Sequence, residues 1–223
     1  MADYTTVANV KLEIGKTQAD HDAILALMVT AASAAIDRWC RRPDGFIALS
    51  TATARTYAGL GLPYLLIDEC ATVSTVAAKD AVDDTAYTAW DPTDWLAFAG
   101  GPENPNFNRL PYTGIMVAAG ADYSVFLDGR QSTWVGFRPV DSKVSNRMVP
   151  TVQVTAKWGY AASCPAAIAQ ACIMQTARWY KRGLSAFADT VASQEFGQLL
   201  YRQKLDPDVE AILSLGGYVR PLV

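Results

Sequence analysis

Apolar residues recur at helical spacing near both ends of the chain, and they alternate or cluster in short runs through its middle. Residues 6–14 fit a short helix that Gly15 ends, because glycine takes the left-handed conformation of a helix stop without penalty. Thr17 and Asp20 have capping-box spacing, with aspartate in place of the preferred glutamate. Ile24, Leu27, Met28, Ala31, Ala35, Ile36 and Trp39 follow at helical intervals. The pattern predicts a helix over residues 18–41 whose inward stripe includes Ile24, Met28, Ala35 and Trp39. Ala31, Ala32, Ala34 and Ala35 place small side chains around much of it. Two readings follow: a core helix of one subunit, or a helix packed on its own core and on a neighbouring subunit.

Past Arg42-Pro43-Asp44-Gly45 the period shortens. Strands are expected over residues 53–58, 64–68 and 72–78, with Gly59, Gly61 and Pro63 forming a turn between the first two. Residues 115–118 and 123–127 can pair as a hairpin. Residues 152–158 give the clearest strand: Val152, Val154, Ala156 and Trp158 share one face, while Gln153, Thr155 and Lys157 share the other. Between residues 80 and 149 the pattern loosens and predicts a long exposed loop.

Helical spacing returns after Pro165, with Ser163 or Cys164 as cap. Ile168, Ala171, Cys172, Gln175 and Trp179 form one side, and Lys181-Arg182-Gly183 supplies a basic last turn and a glycine stop. A last short helix starts at Asp206-Pro207-Asp208 and ends before Gly216-Gly217. The fold class is therefore α+β: a small helical bundle, made of the long alanine-rich helix and the C-terminal helices, with a large β-rich insertion between the two main helices. The expected segments are residues 1–45 (N-terminal helices), 46–160 (β-rich, with the loop insertion at about 80–149), 161–183 (second main helix) and 184–223 (a C-terminal arm with a short helix).

Composition narrows the function. With 223 residues, 51% hydrophobic and 18% charged, the chain can bury a sizeable core. A net charge of −3 gives no basic field with which to hold nucleic acid. The apolar run at residues 23–36 would span roughly 21 Å as a helix, short of a bilayer core, and residues 1–6 have neither the positive start nor the apolar core of a signal peptide. The four cysteines, Cys40, Cys70, Cys164 and Cys172, are scattered and read as buried free thiols. The single histidine, His21, lies in a charged helix start, which leaves no serine- or cysteine-histidine nucleophile system, and no metal or cofactor motif is present. The acidic pairs Asp68-Glu69, Asp83-Asp84, Asp91/Asp94 and Asp206/Asp208 read as turn formers and caps. No catalytic, cofactor-binding or metal-ligating residue is expected.

Two groups are candidates for partner contact. Trp90 and Trp95 flank Asp91-Pro92-Thr93-Asp94 in an expected loop. Farther on, Phe196, Leu199, Leu200 and Tyr201 form a brief apolar group followed by Arg202 and Lys204, within a segment poor in apolar residues of its own. That segment either reaches outside its subunit or folds back on the helical body.

A short leading helix, a long helix ending Ile36-Asp37-Arg38-Trp39-Cys40-Arg41-Arg42, a β-rich middle, then Val154-Thr155-Ala156-Lys157-Trp158-Gly159-Tyr160 leading into Pro165-Ala166-Ala167-Ile168-Ala169-Gln170-Ala171 resembles the head-tail connector (adaptor) family of long-tailed bacteriophages. Ala177-Arg178-Trp179-Tyr180-Lys181-Arg182-Gly183 and Leu205-Asp206-Pro207-Asp208-Val209 also look like it. The resemblance covers residues 5–78 and 150–215 and rests on the order of several short motifs. It implies a non-enzymatic virion protein at the neck, assembled in the host cytoplasm. Its copies would form a ring, about twelve in number, between the portal protein and a stopper or tail-terminator protein. DNA would pass through the lumen without specific binding, and no membrane or cofactor is involved. The segment at about 80–149 is longer than compact members need. The alternative reading is a phage-derived β-rich carbohydrate- or protein-binding module, which would give the tryptophans a purpose.

Overall fold

The computed structural model describes residues 2–131, 147–184, 190–193, 197–200 and 205–221. The chain forms two compact units, Met1–Ile47 with Ser163–Val223, and Ala48–Ala162. The fold is α+β, with a β-rich insertion between the two main helices.

In the helical unit, α1 (Val7–Ile14) starts where the Thr6 side chain accepts the Asn9 N–H, and it stops at Gly15 in the left-handed region, φ 67°. The next helix, α2 (Asp22–Cys40), starts later than the capping-box spacing predicts: His21 is the N-cap, with no side-chain bond, and Thr17 and Asp20 lie outside the helix. At its C-terminal end Arg41 turns left-handed, φ 56°, and the N–H groups of Arg41 and Arg42 donate to the carbonyls of Arg38 and Asp37. At 19 residues and mean hydropathy 1.4, α2 is by length and composition able to cross a membrane, which the shorter apolar run in the sequence does not suggest. One stripe of it is buried in its own unit.

That stripe is not the one the spacing predicts. Leu25, Val29, Ala32, Ser33, Ile36, Asp37 and Cys40 are buried, while Ile24, Leu27 and Trp39 are exposed. The reason is polar. The Tyr4 backbone N–H donates to Ser33 Oγ at 3.1 Å, the Tyr4 hydroxyl donates to the Asp37 carboxylate, and the same hydroxyl accepts the Phe46 N–H at 2.8 Å. Tyr4 thus satisfies two polar groups on the inner stripe, and burying them ceases to be costly. A side chain at Gly45, φ 74°, would put its Cβ 2.8 Å from the Tyr4 hydroxyl, so glycine is required where the chain passes this cluster.

Helix α3 (Ala166–Leu184) runs antiparallel to α2: Ser33 Oγ lies 3.5 Å from Cys172 Sγ, and His21 meets Tyr180 edge-on at 5.6 Å. It continues through Gly183, so the expected glycine stop is absent there; one glycine in a last turn costs only about 1 kcal/mol. Helix α4 (Pro207–Leu215) is capped by Asp206, whose carboxylate accepts the Asp208 N–H and pairs with Arg178 at 2.6 Å. Its Val209 and Leu213 are buried. Beyond it, the Tyr218 carbonyl accepts from Arg42 Nε, and the Arg220 N–H donates to the Cys40 carbonyl. Residues 205–221 therefore fold back on their own helical unit and are not an outward arm.

In the β unit, β1 (Thr53–Tyr57) forms as expected. The two strands predicted over 64–68 and 72–78 are one bulged strand, β2 (Tyr64–Ala78). Strands β3 (Thr88–Ala89) and β4 (Trp95–Phe98) lie where the pattern predicts a loop, and β5 (Tyr112–Val117) takes in most of the strand expected over residues 115–118 but starts three residues earlier. β5 pairs with β2 and β4, so the expected hairpin with residues 123–127 is not made. With β8 (Val152–Trp158) the antiparallel order is β1-β8-β2-β5-β4, and β3 pairs with β2. Phe98 lies opposite Gly114, where a Cβ would collide with its ring, which lets a fully buried phenylalanine close the β4–β5 pair. Two small antiparallel pairs remain among the described residues: β6 (Arg130–Gln131) with β7 (Arg147–Met148) in this unit, and β9 (Thr190–Ser193) with β10 (Gly197–Leu200) in the chain segment of the helical unit. The core follows the alternation of β8: Val152, Val154, Ala156 and Trp158 are buried with Leu65, Ile67, Val76 and Ile115.

Tyr4→Phe should destabilise the chain by about 1 to 3 kcal/mol in urea titration, because the Phe46 N–H loses its acceptor and Asp37 loses a donor. A loss within error of zero would mean that the cluster does not hold α2 in place. Burial raises the Asp37 carboxyl above its ordinary 3.8, against the lowering effect of the Tyr4 hydrogen bond. A carboxyl raised by folding contributes stability that is complete below about 3.8 and is lost as pH rises through the folded value. Relative to Asp37→Asn, the native chain should therefore lose stability across that window and hold a constant difference above it. The opposite slope would contradict the burial of this carboxyl.

Candidate interaction surface

With its inner stripe fixed, α2 is left with a second apolar stripe roughly opposite. Leu27 is 73% exposed and Ile24 46%, large values for aliphatic side chains in mid-helix. Beside them Ala31, Ala34, Ala35, Arg38 and Trp39 line a groove of about 680 Å³, whose other walls are Trp179 of α3 and Leu205 ahead of α4. The small alanines make the floor, Trp39 (38% exposed) and Trp179 make aromatic walls, and Arg38 is the only charged residue among these. Arg38 has no ion pair among the described residues. Such a surface can take up apolar groups and one anion.

The sequence singles out the alanines and the two-sided character of α2 but assigns Trp39 to the interior, which the structure corrects. The two stripes are nearly equal in hydrophobicity, and the inner one carries Ser33 and Asp37, so hydrophobicity alone favours the wrong face. The usable signal was a tyrosine near the N-terminus able to satisfy both.

Trp90 is not on a loop surface. Its ring is sandwiched between Tyr123 at 4.3 Å and Phe126 at 4.9 Å, both nearly parallel to it, and its backbone N–H donates to the Val76 carbonyl. Both ring faces are occupied, which leaves none for a sugar or peptide. Trp95 is half-buried against the same core, and its indole N–H is buried with no acceptor. Trp158 is fully buried, donates Nε1–H to the Thr53 carbonyl at 2.8 Å, and carries the Arg55 guanidinium over its ring at 4.5 Å. Arg55 also pairs with Asp68 at 2.8 Å, and Asp68 accepts the Tyr57 hydroxyl at 3.0 Å. Leu199 pairs in register with Val191, and Leu200 with Thr190. Phe196, Tyr201, Arg202 and Lys204 lie outside the described residues.

Asp91 accepts both the backbone N–H and the hydroxyl of Thr93, which holds its carboxyl below the ordinary range. Asp84 accepts the Ala81 N–H. Cys40, Cys70 and Cys172 are buried free thiols and Cys164 is half-buried. Burial pushes Cys40 and Cys164 up to about 11 and Cys70 to about 12, away from the thiolate form that nucleophilic or metal chemistry needs. Among the described residues no three histidine, cysteine or acidic side chains gather where a metal could sit. No family model and no curated protein matches the chain.

The two tryptophans should part company on truncation. Trp90→Ala is expected to cost about 3 to 5 kcal/mol and Trp39→Ala roughly 1 to 2 kcal/mol, both read from urea titration. Equal losses would contradict the outward placement of Trp39.

Proposed function

We propose that this chain is a structural, non-enzymatic subunit of a ring at the neck of a tailed bacteriophage, an adaptor between portal and tail. The observation that carries this reading is α2, a helix apolar on two opposite faces. One is consumed by its own unit, and the other lies open as a groove walled by two tryptophans. A monomer rarely leaves Leu27, Ile24 and Trp39 exposed along one face without a use for it. A closed ring needs two different, matching surfaces per subunit, and a helix that packs on both sides supplies one of them. The order of sequence motifs on α2, β8 and α3 supports the same reading, as does a net charge of −3 on a part that DNA must pass without being held. The binding-module alternative draws less support, because Trp90 and Trp158 are consumed by the core.

Particles made without this protein should contain DNA-filled heads that lack tails or leak their genome in electron micrographs, and normal tailed particles would overturn the proposal. Leu27→Glu should leave stability within about 0.5 kcal/mol, as for most exposed positions, yet produce the same tailless particles. Wild-type tails on that variant would remove the groove from the assembly.

A further inference from the structure

Resting on the reading above, we propose that the α2 groove receives α1 of a second copy of this chain, with Leu12 seated over Ala31 and Ala35 and the Glu13 carboxylate beside Arg38. The groove cannot be its own mate. It is concave, and a two-fold contact through it would leave the space between two alanine floors unfilled and bring two unpaired Arg38 cations together. Its occupant must be convex, apolar and acidic. In the helical unit Leu12 is 82% exposed, and Glu13 follows it in the last turn of α1. Glu13 lines a small cleft with Lys181 and Arg178 but forms no ion pair among the described residues, and Arg178 is held by Asp206.

The stripe of α2 that carries Ser33 and Asp37 faces the N-terminal segment leading into α1, and the groove lies roughly opposite on the same helix. Knob and groove are different surfaces of the helical unit, so each copy offers a groove to one neighbour and a knob to the next. This is the head-to-tail arrangement that closes into rings. Leu215, 89% exposed at the end of α4, is the rival knob, but its own face of the last turn carries no acid to meet Arg38.

The test is disulfide trapping in the full chain. Leu12→Cys with Ala35→Cys in one chain should give, on mild oxidation, a ladder of covalent multimers, while each single variant stays monomeric on a denaturing gel. A mixture of the two single variants should stop at dimers. The pairing is overturned by the absence of any band beyond wild type or by dimers from Ala35→Cys alone. It is also overturned if Leu215→Cys replaces Leu12→Cys in making the ladder, or if the chain floats with phosphatidylglycerol vesicles in a manner abolished by Leu27→Glu. As a second reading, Glu13→Arg and Arg38→Glu should each suppress the ladder and restore it when combined. A missing ladder alongside tailless particles defeats this pairing and leaves the proposed function standing, whereas normal tailed particles defeat that function whatever the ladder shows.

Discussion

Three hydrogen bonds made by Tyr4, to Ser33, to Asp37 and from the Phe46 N–H, set the rotation of α2 about its own axis, and the rest of the helical unit follows from that rotation. The helix has enough apolar surface to pack on either of two stripes. Burying the one with a serine and a carboxyl would cost several kcal/mol if those groups had no partners. Tyr4 removes that cost for Asp37, while the Ser33 hydroxyl donates to the Val29 carbonyl of its own helix and accepts from the Tyr4 N–H; the Tyr4 hydroxyl gains an acceptor role of its own, and burial and the Asp37 hydrogen bond push its pKa well above the usual phenol value. Once Ser33 and Asp37 point inward, Ile24, Leu27 and Trp39 have nowhere to go but out.

The β insertion is stabilised independently. Its core is built from the regular alternation of β8 and from the Trp90 stack, which draws residues 123–126 onto the sheet without making them a strand. Arg55 ties the other end together, over the Trp158 ring and against Asp68. Trp90 and Trp158 therefore fill space and anchor strands. That shifts the weight of any interaction reading from the sheet to the helices.

How much of this was legible in the sequence depends on whether local signals were sufficient. Thr6 and Gly15 bound α1, Asp206 starts α4 and β8 alternates cleanly, and each of these reads correctly because its cause lies within a few residues. The failures share a different cause. The face of α2 is chosen by Tyr4, about 30 residues away along the chain. Strands β4 and β5 pair across a loop too irregular to show a period, and β2 runs through its own bulges as one strand. Gly183 is tolerated inside α3 although it looks like a stop. Of the candidate contact residues, Trp90 looked exposed because Asp91-Pro92 marks a turn, and nothing local announces the aromatic pair that covers it.

The central claim is that the outer stripe of α2 is covered in the assembled state and bare in the free chain. Hydroxyl-radical footprinting across a concentration series, read by mass spectrometry residue by residue, measures this directly. The account predicts that Leu27 and Trp39 become protected together as the chain associates, while Leu66 and Leu96 on the β unit, exposed to a similar degree as Ile24 and Trp39, keep their reactivity. Protection of Leu66 and Leu96 with Leu27 and Trp39 left reactive would contradict it.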